Sequence, residues 1–276
     1  MEKDITITAA YKAAEVYEKF IVPGVFRYWT PQLLKRAQPK TGEEVLDVAC
    51  GTGVVARAVV PLVGKKGKVT GLDINPAMLA IACQQFDDHC DDIDWREGMA
   101  ENLPFPANSY DLVTFQQGLQ FFNDKPRAAG EMRRVLRGDG RAVVEVWQSM
   151  QCNEFYESVF ETLANTFGIP ITDVSGPYDY GDPAELEELL LSAGFPHVKV
   201  EQVQQDVHYV ESNRFVELTI GGVAAVVPAF ARMEAGLQSE LLKDASDKLR
   251  PMIQAHTMDG ILSFPMFANI ATASMQ

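Results

Sequence analysis

VLDVACGTGVVA, Val45 to Ala56, is the stretch on which the fold turns. With Glu44 it begins as a short β-rich apolar run, and from Gly51 it reads G-x-G-x-x-A, a glycine turn that closes a strand and opens a helix. Gly51 and Gly53 let the backbone turn sharply and approach a ligand with no Cβ in the way. Asp73 follows at about the distance where such a strand–turn–helix unit places a ribose-binding acid. The stretch predicts a nucleoside-binding turn and leaves the nucleoside open.

Outward from it, strands and helices alternate from residue 44 to residue 147. Glu44 to Cys50 is the first strand, GVVARAVVPLV the helix after the turn, and Lys68 to Ile74 the second strand. Asn75 followed by Pro76 has the chemistry of an N-cap and first helical residue, ahead of AMLAIACQQF. IDWREGM and YDLVTFQQ read as strands three and four. Asp124 caps a helix through EMRRVLR to Gly138, and GRAVVEVW is the fifth strand. Asp182-Pro-Ala-Glu185 is a capping box opening a helix that stops at Gly194, after which His197 to Tyr209 alternates like a half-exposed strand. ILSFPMFANIATASM supplies the last strand. The implied fold is α/β: a doubly wound, mostly parallel, seven-stranded Rossmann-like sheet. The roughly 50 residues from Val210 to Gly260 are too many for a structureless loop, so they read as a helical insertion before the last strand. The expected organisation is an N-terminal helical lid (1–43), a core (44–209 with 261–276) and a cap over the acceptor (210–260).

The 276 residues are 47% hydrophobic, ample for a buried core. A formal net charge of −14, with no Lys/Arg cluster, argues against nucleic acid as a partner and points to small molecules. The N-terminus lacks the basic start and apolar core of a signal peptide, and no uncharged apolar run reaches the length of a membrane span, which places the chain in the cytoplasm. Cys50, Cys83, Cys90 and Cys152 show no C-x-x-C pairing, and His89, His197, His208 and His256 stand singly, so neither a disulfide framework nor a metal site is expected. Cys50 reads as a small packing residue where strand meets turn.

Asp47, four positions before Gly51, separates the candidate ligands. A dinucleotide would bring its pyrophosphate near this carboxylate, at the start of the helix. The charge opposes a diphosphate and attracts the ammonium or sulfonium of S-adenosylmethionine. Asp73 serves either cofactor, because a carboxylate accepts from both ribose hydroxyls.

VLDVACGTGVVA, GLDINPAMLAIA, WREGMAENLPFPANSYDLVTFQQGLQFF and RAAGEMRRVLRGDGRAVVEVW, in that order, resemble the class I S-adenosylmethionine-dependent methyltransferases, close to the group that methylates quinones and other small molecules. The resemblance covers about residues 40 to 147. It implies that Asp47, Gly51 and Gly53 surround the methionine part of the cofactor, that Asp73 holds the ribose, and that Ile74 packs on the adenine. Met99, Ala100 and Glu101 then lie at the adenine edge, Gln116 faces the methionyl and ribose region, and Ala49 and Met78 complete the cofactor set. Met99 stands where many relatives carry an Asp that bonds the adenine amino group. The segment before the first strand resembles a lid, with Tyr17 and Trp29 as its cofactor contacts.

Methyl transfer is an in-line displacement, so orientation of the acceptor supplies much of the catalysis. Many relatives place a His in or after strand four; here stands FQQGLQFFND, and Gln is no base at neutral pH. His208 is a weak candidate for proton transfer, more readily read as polar packing. Gln117, Phe121, Phe122, Ile220 and Val223 are candidate acceptor contacts, and Gly118, Phe121, Phe122 and IGGVAAVVPAF offer an apolar wall suited to a phenol, quinone, polyketide or isoprenoid. The expected activity is methylation of a small acceptor, oxygen slightly ahead of carbon or nitrogen, with S-adenosylhomocysteine as product. The alternatives are an NAD-dependent oxidoreductase and a non-catalytic scaffold.

Overall fold

A computed structural model describes the chain apart from residues 1–9, 86–91 and 225–232 and the side chains of residues 220–224 and 235. The chain forms two compact units. One comprises Met1–Tyr28, Ser149–Asp179 and Gln204–Phe267; the other comprises Trp29–Gln148, Tyr180–Val203 and Ala268–Gln276.

The second unit carries the sheet. Its strands are β1 (Glu44–Val48), β2 (Lys68–Asp73), β3 (Ile93–Glu97), β4 (Tyr110–Gln116) and β5 (Leu136–Trp147), with β6 (His197–Tyr209) and β8 (Ile261–Ser274), each of which also contributes residues to the first unit. The order is β3-β2-β1-β4-β5-β8-β6, and a two-residue strand, β7 (Thr257–Met258), pairs off this path with β8. Strands β1 to β5 pair in parallel, and β8 runs antiparallel to β5. The seven-stranded path and its mostly parallel sense are those expected from the sequence.

Both faces of the sheet are covered, which is why its central strands are apolar almost without interruption. On one face Leu46, Val48, Leu72, Phe115 and Val144 pack beneath α4 (Lys125–Val135) and α6 (Pro183–Ser192). On the other, Val45, Val69, Leu112, Val143 and Ile270 pack beneath α1 (Arg27–Ala37) and α2 (Val54–Val63). This second face changes character along the strands: two residues beyond Val45, Leu112 and Val143 it presents Asp47, Thr114 and Glu145. The helix after β2, α3 (Pro76–Gln84), starts where the sequence predicts, with Asn75 Oδ1 accepting the Ala77 amide at 3.0 Å. Asp124 and Asp182 cap α4 and α6 in the same way.

One boundary differs. The sequence carries the α4 helix to Gly138, but it ends at Val135 and β5 starts at Leu136. Tyr110 pairs with Leu136 and Leu112 with Arg141, so residues 137–140 are an excursion within the strand, and the two glycines serve that bulge rather than a helix end.

In the first unit a π-helix, Tyr17–Phe26, leads into α1. The helix α5 (Glu154–Phe167) belongs to this unit, although the sequence reading assigns residues 149–179 to the core. Its aromatic face explains the placement: Phe155 stacks on Phe264 at 3.8 Å between centroids, and Tyr156, Phe160, Tyr178, Tyr209 and Phe215 continue the cluster. The insertion is helical as expected, with α7 (Phe215–Ala224) and α8 (Ala235–Ala255). It ends in a hairpin the sequence reading omits, where Asp259 and Gly260 both take positive φ between β7 and β8.

Among the described residues no helix is long and apolar enough to cross a membrane, and no group of His, Cys, Asp and Glu could hold a metal ion. Cys50 and Cys152 are free thiols. Cys83 is disulfide-bonded, a pairing that the spacing gives no reason to expect.

Candidate functional site

The carboxyl ends of β1, β2 and β4 converge on the glycine turn, as an open α/β sheet requires of its ligand crevice. The Gly51 N–H donates to Asp73 Oδ2 at 2.8 Å, and the Cys50 N–H donates to the Leu72 carbonyl at 3.0 Å. The other oxygen of Asp73 accepts the Asn75 N–H at 2.8 Å. Asp73 thus fixes the turn and the start of α3 together, and with the Ile74 N–H also directed at it the carboxylate still has acceptor capacity for a ligand hydroxyl.

The turn is built from unusual backbone. Ala49, Gly51 and Gly53 have φ of 55°, 55° and 84°. A Cβ on Gly53 would lie 2.3 Å from the Trp95 ring, so the indole occupies the space that glycine leaves. Trp95 also covers Gly71. Across the crevice Gln117, just after β4, has φ of 55°, and a Cβ on Gly118 would lie 2.6 Å from the Ala49 Cβ. Two non-glycine residues in left-handed conformation, on adjacent strand ends in close contact, are the kind of strain that collects at binding sites.

Three carboxyls occupy this edge, and none forms an ion pair among the described residues. Asp47 is 1% exposed; its oxygens accept from the Thr114 hydroxyl at 2.8 Å and the Ala56 N–H at 3.2 Å. Burial pushes its pKa up to about 7, and the neighbouring Asp73 adds to the shift. Burial also raises Asp73. Glu145 is fully buried on β5, directly beside Gln116 in register, and burial pushes it up to about 8. A cationic ligand would relieve this accumulation of buried acid.

Glu145 is the residue that the sequence reading misses. Its Oε1 accepts from Gln116 Nε2 and Gln117 Nε2, both at 3.2 Å, and Oε2 is buried with no partner. Thr30 on α1 donates to Gln116 Oε1 at 2.9 Å, and Gln120 donates to Gln117 Oε1 at 3.0 Å. The available signal was an acid at a sheet position otherwise filled by apolar residues.

The remaining candidates divide. Ile74 and Met99 are 63% and 51% exposed, open to an adenine ring, and Ala100 is buried. The Met99–Glu101 segment is held to β2 because the Gly98 N–H donates to the Asp73 carbonyl at 3.0 Å. Met78 and Glu101 are half-buried. Phe121 is 61% exposed, whereas Phe122 packs edge-on against Phe115 and serves the core. Trp29 is buried edge-on against Trp147, with its Nε1 unpartnered. Tyr17 belongs to the first unit, beside Phe26. So does His208, whose Nδ1 lies 2.7 Å from Ser263 Oγ. The side chains of Ile220 and Val223 lie outside the described residues.

The glycine turn fits S-adenosylmethionine on a further count. Thr52 Oγ1, inside the turn, is buried with no hydrogen-bond partner, a polar atom that a ligand can satisfy.

The sequence model of the ubiE/COQ5 methyltransferase family matches residues 7–212. A protein of Hahella chejuensis named ubiquinone/menaquinone biosynthesis C-methyltransferase UbiE is 42% identical over 123 residues, covering 44% of this chain and 49% of that relative. The similarly named protein of Francisella philomiragia is 31% identical over 194 residues, 65% of this chain and 77% of its own. In fold, the chain resembles Haemonchus contortus phosphoethanolamine N-methyltransferase 2, solved with S-adenosyl-L-methionine, at TM-score 0.57 and 21% identity over 98% of this chain and 57% of that one. The expected preference for oxygen finds no support here, since both relatives are named for methylation at carbon.

Proposed function

The chain belongs to the ubiE/COQ5 methyltransferase family, and from that premise we propose that it methylates a ring carbon of a quinol. S-adenosylmethionine, when bound, supplies an electrophilic methyl group. The observation that carries this assignment is the pair of buried carboxyls at the glycine turn, Asp47 and Asp73, neither of which forms an ion pair among the described residues. Such an edge favours a cationic ligand over a diphosphate, which supports a sulfonium cofactor over NAD.

The choice of acceptor rests on the relatives' names and on the chemistry of the site. A quinol ring carbon beside a hydroxyl is nucleophilic because the oxygen feeds electron density into the ring. A C–C bond forms to the methyl group as its C–S bond breaks and S-adenosylhomocysteine leaves, and the ring proton is then lost to water, which restores aromaticity. The residues around the turn hold the donor, and the exposed Phe121 offers an apolar surface for a planar ring. Thr30, Gln116, Gln117 and Gln120 supply polar groups but no strong base, consistent with catalysis by orientation.

The test is incubation of the protein with methyl-labelled S-adenosylmethionine and chemically reduced 1,4-naphthoquinone, which has free ring carbons. The expected result is label on a ring carbon, identified by mass spectrometry and NMR. Label on oxygen overturns the choice of carbon. Failure to bind S-adenosylhomocysteine in calorimetry, with NADH bound instead, overturns the methyltransferase reading as a whole.

A further inference from the structure

Glu145 is unusual in taking both side-chain amides at the end of β4 on one oxygen. Gln116 Nε2 and Gln117 Nε2 each donate to Oε1 at 3.2 Å, and the Gln117 backbone N–H donates to the Glu145 carbonyl at 2.8 Å. The far ends of both amides are also fixed, Gln116 Oε1 by the Thr30 hydroxyl and Gln117 Oε1 by the Gln120 amide. All four polar partners are nine-tenths buried or more. An amide nitrogen carries two hydrogens, and each of these two has one committed to Glu145. Among the described residues the second hydrogen of each amide has no acceptor, which leaves a pair of buried, pre-oriented N–H donors.

We propose that Glu145 is a positioning residue that sets the amides of Gln116 and Gln117 as paired donors for an oxygen on the methyl acceptor. The inference rests on the quinol reading above and deepens it. Paired donors aimed at one oxygen stabilise negative charge there, as an oxyanion hole does. A quinol hydroxyl gains such charge when its proton departs to water, and the donors favour that phenolate, whose electron density then moves into the ring to the carbon under attack. Glu145 itself acts through the amides. Among the described residues no cation pairs with it, and Arg36, the charged side chain whose field reaches it, is bonded to Glu201 at 3.1 Å. Its raised pKa agrees with a neutral acid in that role at physiological pH.

The experiment compares wild type, Glu145→Gln, Glu145→Leu and Gln117→Leu, using 1,4-naphthoquinol as acceptor. S-adenosylhomocysteine affinity and far-UV circular dichroism report on the fold and the cofactor end. Glu145→Leu is expected to lower kcat by about 10- to 100-fold while S-adenosylhomocysteine affinity stays within about 3-fold. Glu145→Gln keeps an oxygen that accepts both amides and is expected to restore most of that loss. Gln117→Leu, which removes one donor and leaves Glu145 in place, is expected to fall in the same direction, and it carries the test if Glu145→Leu fails to fold. Unchanged kcat in Glu145→Leu or in Gln117→Leu overturns the proposal. Equal loss in Glu145→Gln and Glu145→Leu also overturns it, in favour of proton transfer by Glu145 itself. Wild-type protein that binds S-adenosylhomocysteine but leaves the quinol unmethylated overturns the quinol reading, and the acceptor role of Glu145 with it.

Discussion

Asp73 on β2 accepts the Gly51 N–H at 2.8 Å, so the acid expected to hold a ribose also holds the turn that approaches the ligand. Removing it should damage both. Asp73→Ala is expected to weaken S-adenosylhomocysteine by about 10- to 100-fold, about 1–3 kcal/mol, measured by calorimetry. An affinity equal to wild type would remove Asp73 from the site.

Thr52 separates binding from folding. Its hydroxyl is buried and unpartnered in the turn, so the near-isosteric Thr52→Val removes an unsatisfied group. Stability in urea should hold or rise by up to about 1 kcal/mol, while S-adenosylhomocysteine affinity falls several-fold. Equal affinity in the two proteins would show that the hydroxyl meets no ligand.

Ala49 and Gly118 should be coupled. A Cβ on Gly118 would sit 2.6 Å from that of Ala49, and Ala49 is held at φ 55°. Gly118→Ala alone is expected to cost about 1–3 kcal/mol by overpacking. In an Ala49→Gly background the same change should cost at least about 1 kcal/mol less, because the clash partner is gone and the left-handed position is relaxed. Additive denaturation energies would mean that the two loops do not press on each other.

The buried carboxyls set a direction for pH. Glu145 rises from 4.5 to about 8 and Asp47 from 3.8 to about 7 on folding. A folded pKa above the unfolded value means that the native state binds more protons, so this contribution is full below about pH 4 and is lost as pH rises through 7 to 8. Glu145→Gln removes the largest part. It should lose far less stability than wild type between pH 6 and pH 9, a difference on the order of 2–4 kcal/mol. Parallel stability curves for the two proteins would show that Glu145 does not ionise in that range.

What was legible in the sequence was local. Asn75, Asp124 and Asp182 act on amides two or three residues away, and the glycine turn writes its strand and helix within twelve residues, so all of these could be read in order along the chain. Glu145 could not be read in that way, because its meaning depends on Gln116 and Gln117, nearly thirty residues earlier, and on the register that sets β4 beside β5. Residues 149–179 join the first unit for a similar reason. The helical period of α5 was available, but its aromatic partners, Tyr209, Phe215 and Phe264, are separated from it by some fifty to a hundred residues. The acceptor contacts were the least legible: of the five candidates Gln117 lies in the polar network, Phe121 is open, Phe122 is committed to the core, and two lie outside the described side chains.

The indole of Trp95, resting on Gly53 and Gly71, makes the glycine turn optically visible. Its emission depends on the backbone against which it lies, and its Nε1 is buried without a partner, so a sub-ångström shift of the turn changes its surroundings. The other two tryptophans, Trp29 and Trp147, lie edge to face with centroids 5.2 Å apart. Replacing that pair with phenylalanine would leave a single tryptophan, packed on the glycine turn, so that occupancy could be followed in real time with no label on ligand or protein.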